Sequence, residues 1–241
     1  MGHHGGVCAI LENKEIEKHN LQFQQQDVPT NLKAFATLFP NATLACSFGP
    51  EDMVIVDMLH EHAVQLPVFY LDTNLLFAET YGLRDLTIAR YPRLTFHQVL
   101  PAITLQEQEA QKGANLWESA PDACCAIRKV LPLETHLKGF DGWITGIRRQ
   151  QSPTRKDAQI LEYDQRFGLY KLNPLAFWSD EEVWDYIKAH NVPYNPLHDH
   201  GYPSIGCAPC TRPVKEGEDP RAGRWAGFAK TECGLHQEVT S

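Results

Sequence analysis

Two pairs of cysteines are the clearest candidates for chemistry in this sequence. Cys124 and Cys125 are adjacent, and Cys207 and Cys210 form a Cys-Ala-Pro-Cys motif much later in the chain. Four thiolates from two distant segments predict a metal centre. The alternatives are burial of the cysteines as small apolar side chains and a redox role for the Cys-x-x-Cys pair.

The adjacency of Cys124 and Cys125 helps to choose between metals. Neighbouring Cα atoms lie about 3.8 Å apart, and their side chains diverge along a helix. Two such thiolates bind one small tetrahedral ion only with strain, whereas a four-iron cluster offers each thiolate its own iron atom. The residues therefore favour a [4Fe-4S] cluster over zinc. Arg128 and Lys129, one turn later, either offset the charge of the cluster or are ordinary exposed residues.

A further cysteine, Cys233, lies close to the C-terminus and beside a glycine. A thiolate in such a tail can enter a pocket, react and move out to meet a partner. Cationic neighbours lower the pKa of a thiol. Here they are Arg221, Arg224, Lys230 and His236. On these residues alone, a cysteine without a role in a loose tail is the simpler interpretation.

Three loops that follow predicted strands carry residues suited to an anionic ligand. The segment 47–52 contains Gly49 for a tight turn and leads into a helix, whose first N–H groups are free to bind an anion. Leu71, Asp72 and Thr73 end the next strand in the same way. A plain strand-to-helix turn is the alternative for each loop.

The third loop, residues 145–155, is rich in arginine. It contains Arg148, Arg149 and Arg155 beside Gly146 and Ser152. Guanidinium groups match the oxygens of phosphate and sulfate, so the loop predicts an oxyanion site, with a solvated loop as the alternative.

The elements that must position these loops alternate between strand and helix. Alternation of this kind predicts an α/β fold with a mainly parallel sheet flanked by helices, and ligands at the carboxyl ends of its strands. Predicted strands span residues 42–47, 68–72, 94–99 and 143–145, with a hairpin over 160–163 and 169–172. Predicted helices span 9–27, 78–91, 123–137 and 179–190, and one more begins after Pro50.

Composition limits the classes of protein. The chain has 241 residues, 43% of them hydrophobic, and a net charge of −8, which argues against disorder and against a broad nucleic-acid surface. No apolar run is long enough for a membrane helix, and the N-terminus does not resemble a signal peptide. With seven cysteines, an odd number, we expect a cytoplasmic protein with reduced thiols. We expect one catalytic domain, with an α/β core over about 28–200 and a cysteine-bearing tail over 201–241.

Together the motifs resemble the assimilatory adenylyl-sulfate reductases, a family that uses thioredoxin as reductant. The most specific are Cys-Cys-Ala-Ile-Arg-Lys at 124–129, Cys-Ala-Pro-Cys-Thr-Arg at 207–212 and Glu-Cys-Gly-Leu-His at 232–236. The resemblance covers about residues 40–236. It implies a fold like the adenine-nucleotide α-hydrolases and one [4Fe-4S] cluster on the two cysteine pairs.

The resemblance also implies roles for individual residues. Catalysis is assigned to Cys233, His236 and Lys129, and substrate binding to Ser47, Gly49, Glu51, Asp52, Leu71, Asp72, Thr73, Gly146, Arg148, Ser152, Arg155, Arg221 and Arg224. The Cys233 thiolate attacks the sulfuryl sulfur of adenylyl sulfate, AMP leaves, and thioredoxin releases sulfite from the S-sulfonate. The cluster then acts electrostatically and structurally. The family forms homo-oligomers, although the sequence itself shows no interface signal.

Three rival functions remain open at this point. A phosphoadenylyl-sulfate reductase, or an enzyme that accepts both nucleotides, resembles this chain, but reductases restricted to that nucleotide lack the two cysteine pairs. An ATP-dependent tRNA-thiolating enzyme is opposed by the acidic balance and by the altered loop at Ser47. In a zinc-stapled binding module, Cys207 and Cys210 would serve only structure.

Overall fold

A computed structural model describes residues 11–225, 227, 228 and 230. Its centre is a six-stranded sheet with the order β3-β2-β1-β4-β6-β5. The strands are β1 (Ala42–Ala45), β2 (Val68–Leu71), β3 (Phe96–Val99), β4 (Gly142–Ile144), β5 (Leu161–Asp164) and β6 (Leu169–Leu172). All neighbours pair in parallel except β5 and β6, which form an antiparallel hairpin. The prediction of a mainly parallel α/β fold is confirmed.

Helices cover both faces of this sheet. They are α1 (Asn13–Phe23), α2 (Val28–Leu38), α3 (Pro50–Glu61), α4 (Ala78–Arg90), α5 (Leu105–Lys112), α6 (Leu116–Ser119), α7 (Pro121–Cys125), α8 (Leu131–Leu137) and α9 (Asp180–His190). Shorter 3-10 turns lie at Arg149–Gln151, Pro153–Arg155, Pro196–His200 and Ala208–Cys210. Helices α2 and α5 were not predicted from the sequence. Both begin at side-chain caps, Asp27 and Thr104, that local sequence already contains.

The predicted helix over 123–137 is present, but its middle differs from a regular α-helix. Residues Ala126–Val130 form a π-helical turn between α7 and α8. Within it, the N–H of Leu131 bonds to the carbonyl of Ala126, five residues back. Pro132 follows directly and has no N–H to donate, so it removes a regular bond of the helix and favours the irregular turn.

Alternating side chains of the strands pack into two separate cores. In β2, Val68 and Tyr70 join the large core with the helices on one face, whereas Phe69 joins a smaller core on the other. Trp143 and Leu133 also belong to the smaller core. The residues of α3 from Met53 to Leu59 are all buried, so this helix is held on every side.

The strand order creates a natural ligand site. The chain runs from β1 outward to β2 and β3, and then returns to place β4 on the opposite side of β1. The connections after β1 and β4 therefore diverge at the same edge of the sheet and leave a crevice between them. That crevice receives the predicted phosphate loop and the arginine-rich loop.

Across the described residues, no helix combines the length and apolar character needed to cross a membrane.

Candidate active site

A cavity of about 800 Å³ opens between the loops that follow β1 and β4. Most of the residues predicted to bind the substrate line it, together with Lys129. They are Ser47, Gly49, Glu51, Asp52, Leu71, Gly146, Arg148, Arg155, Arg221 and Arg224. The fold thus brings together residues that are far apart in the sequence.

The first wall is built by the loop between β1 and α3. The N–H and the hydroxyl of Ser47 both donate to Oδ2 of Asp52, each at 2.6 Å. Burial raises the pKa of Asp52 to about 6, although the two bonds from Ser47 oppose the shift. Phe48 adopts a left-handed backbone conformation with φ 62°. Hydrogen bonds between its own residues thus hold this loop.

The loop after β4 passes unusually close to this wall. A Cβ atom on Gly146 would lie 2.3 Å from Oδ1 of Asp52 and 2.9 Å from Cβ of Glu51. Only glycine permits this approach. The Gly146 main chain also hydrogen-bonds to the Asp52 carboxylate, and its carbonyl accepts from Nε2 of Gln151 at 3.0 Å.

Arg148 lines the cavity, but its guanidinium is committed to protein partners. It lies 2.7 Å from Oε1 of Glu51 and 2.9 Å from Oδ1 of Asp180, and it donates to the Trp178 carbonyl at 3.3 Å. The arginine joins the start of α3 to the start of α9. The geometry therefore gives Arg148 a positioning role in the cavity wall.

The other arginines of this loop differ in where they point. Arg149 packs over the ring of Phe177 at 4.0 Å and donates to the Ala158 carbonyl at 2.7 Å, outside the cavity lining. Arg155 does line the cavity, and its Nη1 lies 2.5 Å from Oε1 of Gln151.

Three of the predicted binding residues have side chains outside the cavity lining. Asp72 is buried and accepts bonds from the hydroxyl of Tyr81 and from Gln98, each at 2.7 Å. Thr73 is buried and its Oγ1 lies 3.3 Å from Sγ of Cys207. Ser152 interacts with Thr154 at 2.7 Å. Of the three residues predicted at the end of β2, Leu71 lines the cavity.

The four paired cysteines converge on a second, smaller pocket. Cys124, Cys125, Cys207 and Cys210 all line it. The loop carrying Cys207 and Cys210 is attached to the connection after β2, because the N–H of Ala208 donates to the Leu75 carbonyl at 2.7 Å. The two distant cysteine segments thus share one pocket.

The chemistry of this pocket suits a cation-rich group. Burial, together with the charges of the neighbouring cysteines, raises the pKa of Cys124 and of Cys210 to about 11. Thiolates this close become favourable only when positive charge lies between them. Across residues 11–225, no three or more His, Cys, Asp or Glu side chains are arranged to hold one metal ion. The fit of a metal group to this pocket rests instead on the chemistry of its donors, four cysteine sulfurs that line one pocket.

The π-helical turn places two cations beside the cysteines. Arg128 is almost fully buried and donates to the Thr73 carbonyl at 2.6 Å and to Oε1 of Gln108 at 3.0 Å. Lys129, the next residue, lines both the cysteine pocket and the large cavity. The turn therefore directs one cation into the fold and the other to the wall between the pockets.

Arg224 is the second residue that lines both pockets. Its guanidinium lies 4.5 Å from the centre of the Trp225 ring, and its Nη1 donates to the hydroxyl of Ser204 at 3.1 Å. A Cβ atom on Gly206 would lie 2.4 Å from its Nη2, so glycine makes room for it. The segment is fixed near the cysteines because the N–H of Trp225 donates to the Cys210 carbonyl at 3.0 Å.

The cavity is cationic although the protein is acidic. Its lining contains six Lys or Arg residues against four Asp or Glu residues, in a chain of net charge −8. A positive cavity in a negative protein favours a small anionic ligand.

Sequence reasoning missed one part of this wall. Trp184, Tyr194, Asn195 and His198 also line the cavity. The available signal was the capped helix α9 followed by Asn-Pro, which indicates a turn back towards the sheet. Cys233 and His236 lie outside the described residues, so their roles stay predictions.

The comparison with protein families gives one match over most of this chain. Residues 41–213 match the family described as the phosphoadenosine phosphosulfate reductase domain. A protein of Halalkalibacterium halodurans named adenosine 5'-phosphosulfate reductase is 48% identical over 223 residues, covering 92% of this chain and 96% of the relative. A protein of Bacillus subtilis named adenosine 5'-phosphosulfate reductase 2 is 48% identical over 205 residues, covering 85% and 87%.

Solved structures agree with this match. The phosphoadenylyl-sulfate reductase of Candida auris, crystallised with phosphate, superposes with a TM-score of 0.75 at 29% identity, covering 84% of this chain and 98% of that protein. An FMN adenylyltransferase of Candida glabrata, bound to FAD and pyrophosphate, has a TM-score of 0.57 at 18% identity, covering 88% and 72%. The second likeness shows a shared fold only.

Proposed function

The chain belongs to the phosphoadenosine phosphosulfate reductase family, and on that premise we propose that it reduces adenylyl sulfate to sulfite and AMP. Two features support this substrate. The curated relatives at 48% identity are named for adenosine 5'-phosphosulfate. The cavity is cationic and large enough for a nucleotide. The enzyme is an oxidoreductase acting on sulfur, and the reaction belongs to sulfate assimilation.

One observation carries the assignment of the site. Lys129 and Arg224 belong both to the nucleotide cavity and to the pocket of the four cysteines. An adenylyl sulfate whose sulfate reaches these cations would lie beside the cysteine pocket. Arg155 and Arg221 line the same cavity and add positive charge for the phosphate and sulfate oxygens.

The chemistry we propose is nucleophilic displacement by Cys233. Its thiolate attacks the sulfuryl sulfur, a bond forms between the two sulfurs, and the bond from that sulfur to the bridging oxygen breaks. AMP leaves with the electron pair. A thioredoxin thiolate then attacks the Cys233 sulfur and expels sulfite, which carries away the electron pair of the sulfur–sulfur bond. The second thiol of thioredoxin resolves the mixed disulfide and regenerates Cys233. His236 is proposed to lie near the reacting sulfur.

Cys124, Cys125, Cys207 and Cys210 are the residues that would hold one [4Fe-4S] cluster. When bound, such a group supplies a covalent link between α7 and the 207–210 loop and a local field beside Lys129. The two electrons of the reaction come from thioredoxin, so no redox change at iron is needed. Because thioredoxin acts on free thiols in a reducing compartment, we also propose a cytoplasmic location. A homo-oligomer, as the resemblance implies, is part of the same proposal.

The test is sulfite release from adenylyl sulfate with thioredoxin, followed by mass spectrometry of the enzyme before thioredoxin is added. We expect an S-sulfonate on Cys233, no adduct and no turnover in Cys233→Ser, and normal turnover in the control Cys8→Ser. Sulfite output from Cys233→Ser at the wild-type rate would contradict the mechanism. A higher kcat/KM for phosphoadenylyl sulfate than for adenylyl sulfate would instead favour the rival substrate.

The cluster has its own test. Purified protein should contain about four iron atoms and as many acid-labile sulfides per chain. Variants of Cys124 or Cys210 should lose iron, whereas Cys46→Ala should keep it. Zinc in place of iron and sulfide would contradict this part of the proposal.

A further inference from the structure

Lys230 connects the tail to the helix that carries the first pair of cysteines. Its Nζ donates to Oδ1 of Asp122, the second residue of α7, and forms an ion pair with it, although 108 positions separate the two residues in the sequence. Asp122 is 85% exposed, but the Lys230 side chain is only 10% exposed. Lysine side chains are rarely covered to this extent unless they have a partner. The contact therefore fixes Lys230 at the start of α7.

Trp225 provides the second contact of Lys230. The Nζ atom lies 5.5 Å from the centre of the Trp225 ring, within the range of a cation–π interaction. The ring is itself buried, and the main-chain N–H of Trp225 donates to the Cys210 carbonyl at 3.0 Å. Lys230 is thus attached to both cysteine segments, to α7 through Asp122 and to the 207–210 loop through Trp225.

This attachment lies at the edge of the cysteine pocket. Trp225 lines that pocket, and so does Pro121, the residue before Asp122. Arg224, the residue before Trp225, lines both the cysteine pocket and the nucleotide cavity. The tail is therefore held beside the wall that the two pockets share.

Cys233 follows Lys230 by three residues. Three residues of fully extended chain span at most about 11 Å, so the attachment limits how far Cys233 can lie from this wall. Trp225 is the next buried residue towards the N-terminus in the part of the chain that the structure describes, and it precedes Cys233 by eight residues. From Trp225 alone, the extended chain would span about 29 Å. A shorter connection raises the effective concentration of the thiol at the shared wall.

The strength of the contact suits a tail that has to leave the cavity again. In the proposed mechanism Cys233 first reacts with the nucleotide and then meets thioredoxin. An ion pair with an exposed member shifts an equilibrium by about fivefold at most. Such a pair favours the held position of the tail without preventing its release.

We propose that Asp122 and Lys230 are positioning residues, and that their ion pair holds the tail so that the Cys233 thiolate meets the sulfate of adenylyl sulfate. The inference rests on the proposed function, because it takes Cys233 as the nucleophile. Neither residue of the pair is among the described residues that line the nucleotide cavity. The pair therefore acts on the formation of the S-sulfonate and leaves nucleotide affinity unchanged.

A direct effect of Lys230 on the thiol predicts a different result. A cation near Cys233 lowers the pKa of the thiol by its charge alone, and Asp122 would then be dispensable. In that case only the loss of Lys230 would slow the reaction, and moving the positive charge to position 122 would not restore it. Variants of Asp122 therefore separate the two roles.

The experiment measures S-sulfonate formation by the purified holoenzyme in a single turnover without thioredoxin, by quenching and mass spectrometry. At saturating adenylyl sulfate we expect Asp122→Asn and Lys230→Met each to slow this step about threefold to fivefold. The Kd of AMP, measured by calorimetry, should not change. The double variant that exchanges the charges, Asp122→Lys with Lys230→Asp, should recover most of the rate. Thioredoxin should release sulfite from the preformed S-sulfonate of each variant as fast as from wild type.

Glu218→Gln is the matched control. It breaks another ion pair of the same tail, in which Oε2 of Glu218 lies 2.9 Å from Nη1 of Arg212, and should form the S-sulfonate at the wild-type rate. The proposal is overturned if Asp122→Asn reacts like wild type, if the exchanged charges restore nothing, or if the slow variants have lost iron. Absence of any S-sulfonate on Cys233 of wild type would overturn the proposed function as well, and so is distinguished from failure of this inference.

Discussion

The guanidinium of Arg148 and the carboxylate of Glu51 form a buried ion pair, 2.7 Å apart, at the entrance to α3. Their side chains are only 4% and 10% exposed. The pair holds the loop after β4 against the loop after β1, the two loops that border the nucleotide cavity. It therefore sets the shape of the cavity and need not touch the substrate.

Removal of one member of this pair should be costly. Arg148→Met leaves Glu51 buried without its main partner, and we expect the free energy of unfolding to fall by about 3–5 kcal/mol. Adding Glu51→Gln to Arg148→Met should recover part of the loss, as measured by urea denaturation. Arg84→Met serves as the control, because its partner Asp85 is 68% exposed and the pair should contribute less than about 1 kcal/mol. Strictly additive effects of the two buried substitutions would show that the pair is not coupled.

Gly146 should not tolerate a methyl group. Gly146→Ala places a Cβ atom 2.3 Å from Oδ1 of Asp52, so the loop or the start of α3 must move. We expect AMP affinity to fall by at least about tenfold, since the shift acts on the cavity wall. Gly82→Ala, in α4, is the matched control, because nothing lies within 4 Å of its new Cβ. That variant should bind AMP normally. Normal affinity in Gly146→Ala would mean that the close approach has no role in binding.

Stability should depend on pH through Asp52. Burial raises its pKa from 3.8 to about 6, so the folded protein holds the proton more tightly than the unfolded chain does. This contribution to stability is complete below pH 3.8 and is lost as the pH rises through about 6. The variant Asp52→Asn has no carboxyl proton at this position, so its stability does not fall in this way as the pH rises. The free energy of unfolding of Asp52→Asn relative to wild type should therefore rise by about 3 kcal/mol between acidic and neutral pH. Urea denaturation across that range measures the difference, and a difference independent of pH would refute the assignment.

Gly206 should control the position of Arg224. In Gly206→Ala the new Cβ atom lies 2.4 Å from Nη2 of Arg224, so the guanidinium must leave its place over Trp225. We expect kcat/KM for adenylyl sulfate to fall by at least about tenfold, a loss of about 1.4 kcal/mol in transition-state binding. Iron content should stay at the wild-type level, which separates this effect from damage to the cysteine pocket. Wild-type kcat/KM would show that Arg224 does not need this position.

Sequence alone predicted the parts of this protein that depend on local pattern. The strands that end before Ser47, Asp72 and Thr145 were predicted correctly, because buried parallel strands are short apolar runs bounded by turn residues. The convergence of the cavity loops followed from the general rule for parallel sheets. The joint pocket of the two cysteine pairs was predicted from residue type and from the family resemblance.

The remainder depends on long-range contacts that a single sequence does not display. That Arg148 is occupied by Glu51 and Asp180 is visible only once α3 and α9 are packed together. Asp72 is predicted to line the nucleotide pocket largely through its backbone, and no local pattern shows that its carboxylate turns inward to Tyr81 and Gln98.

The contact between Thr73 and Cys207 joins residues 134 positions apart. The six strands of the described sheet all precede Cys207 in the chain, so the crevice between β1 and β4 is built from earlier residues than the second thiol pair. Translation therefore produces the residues of the nucleotide-binding framework before those of the sulfur-rich wall.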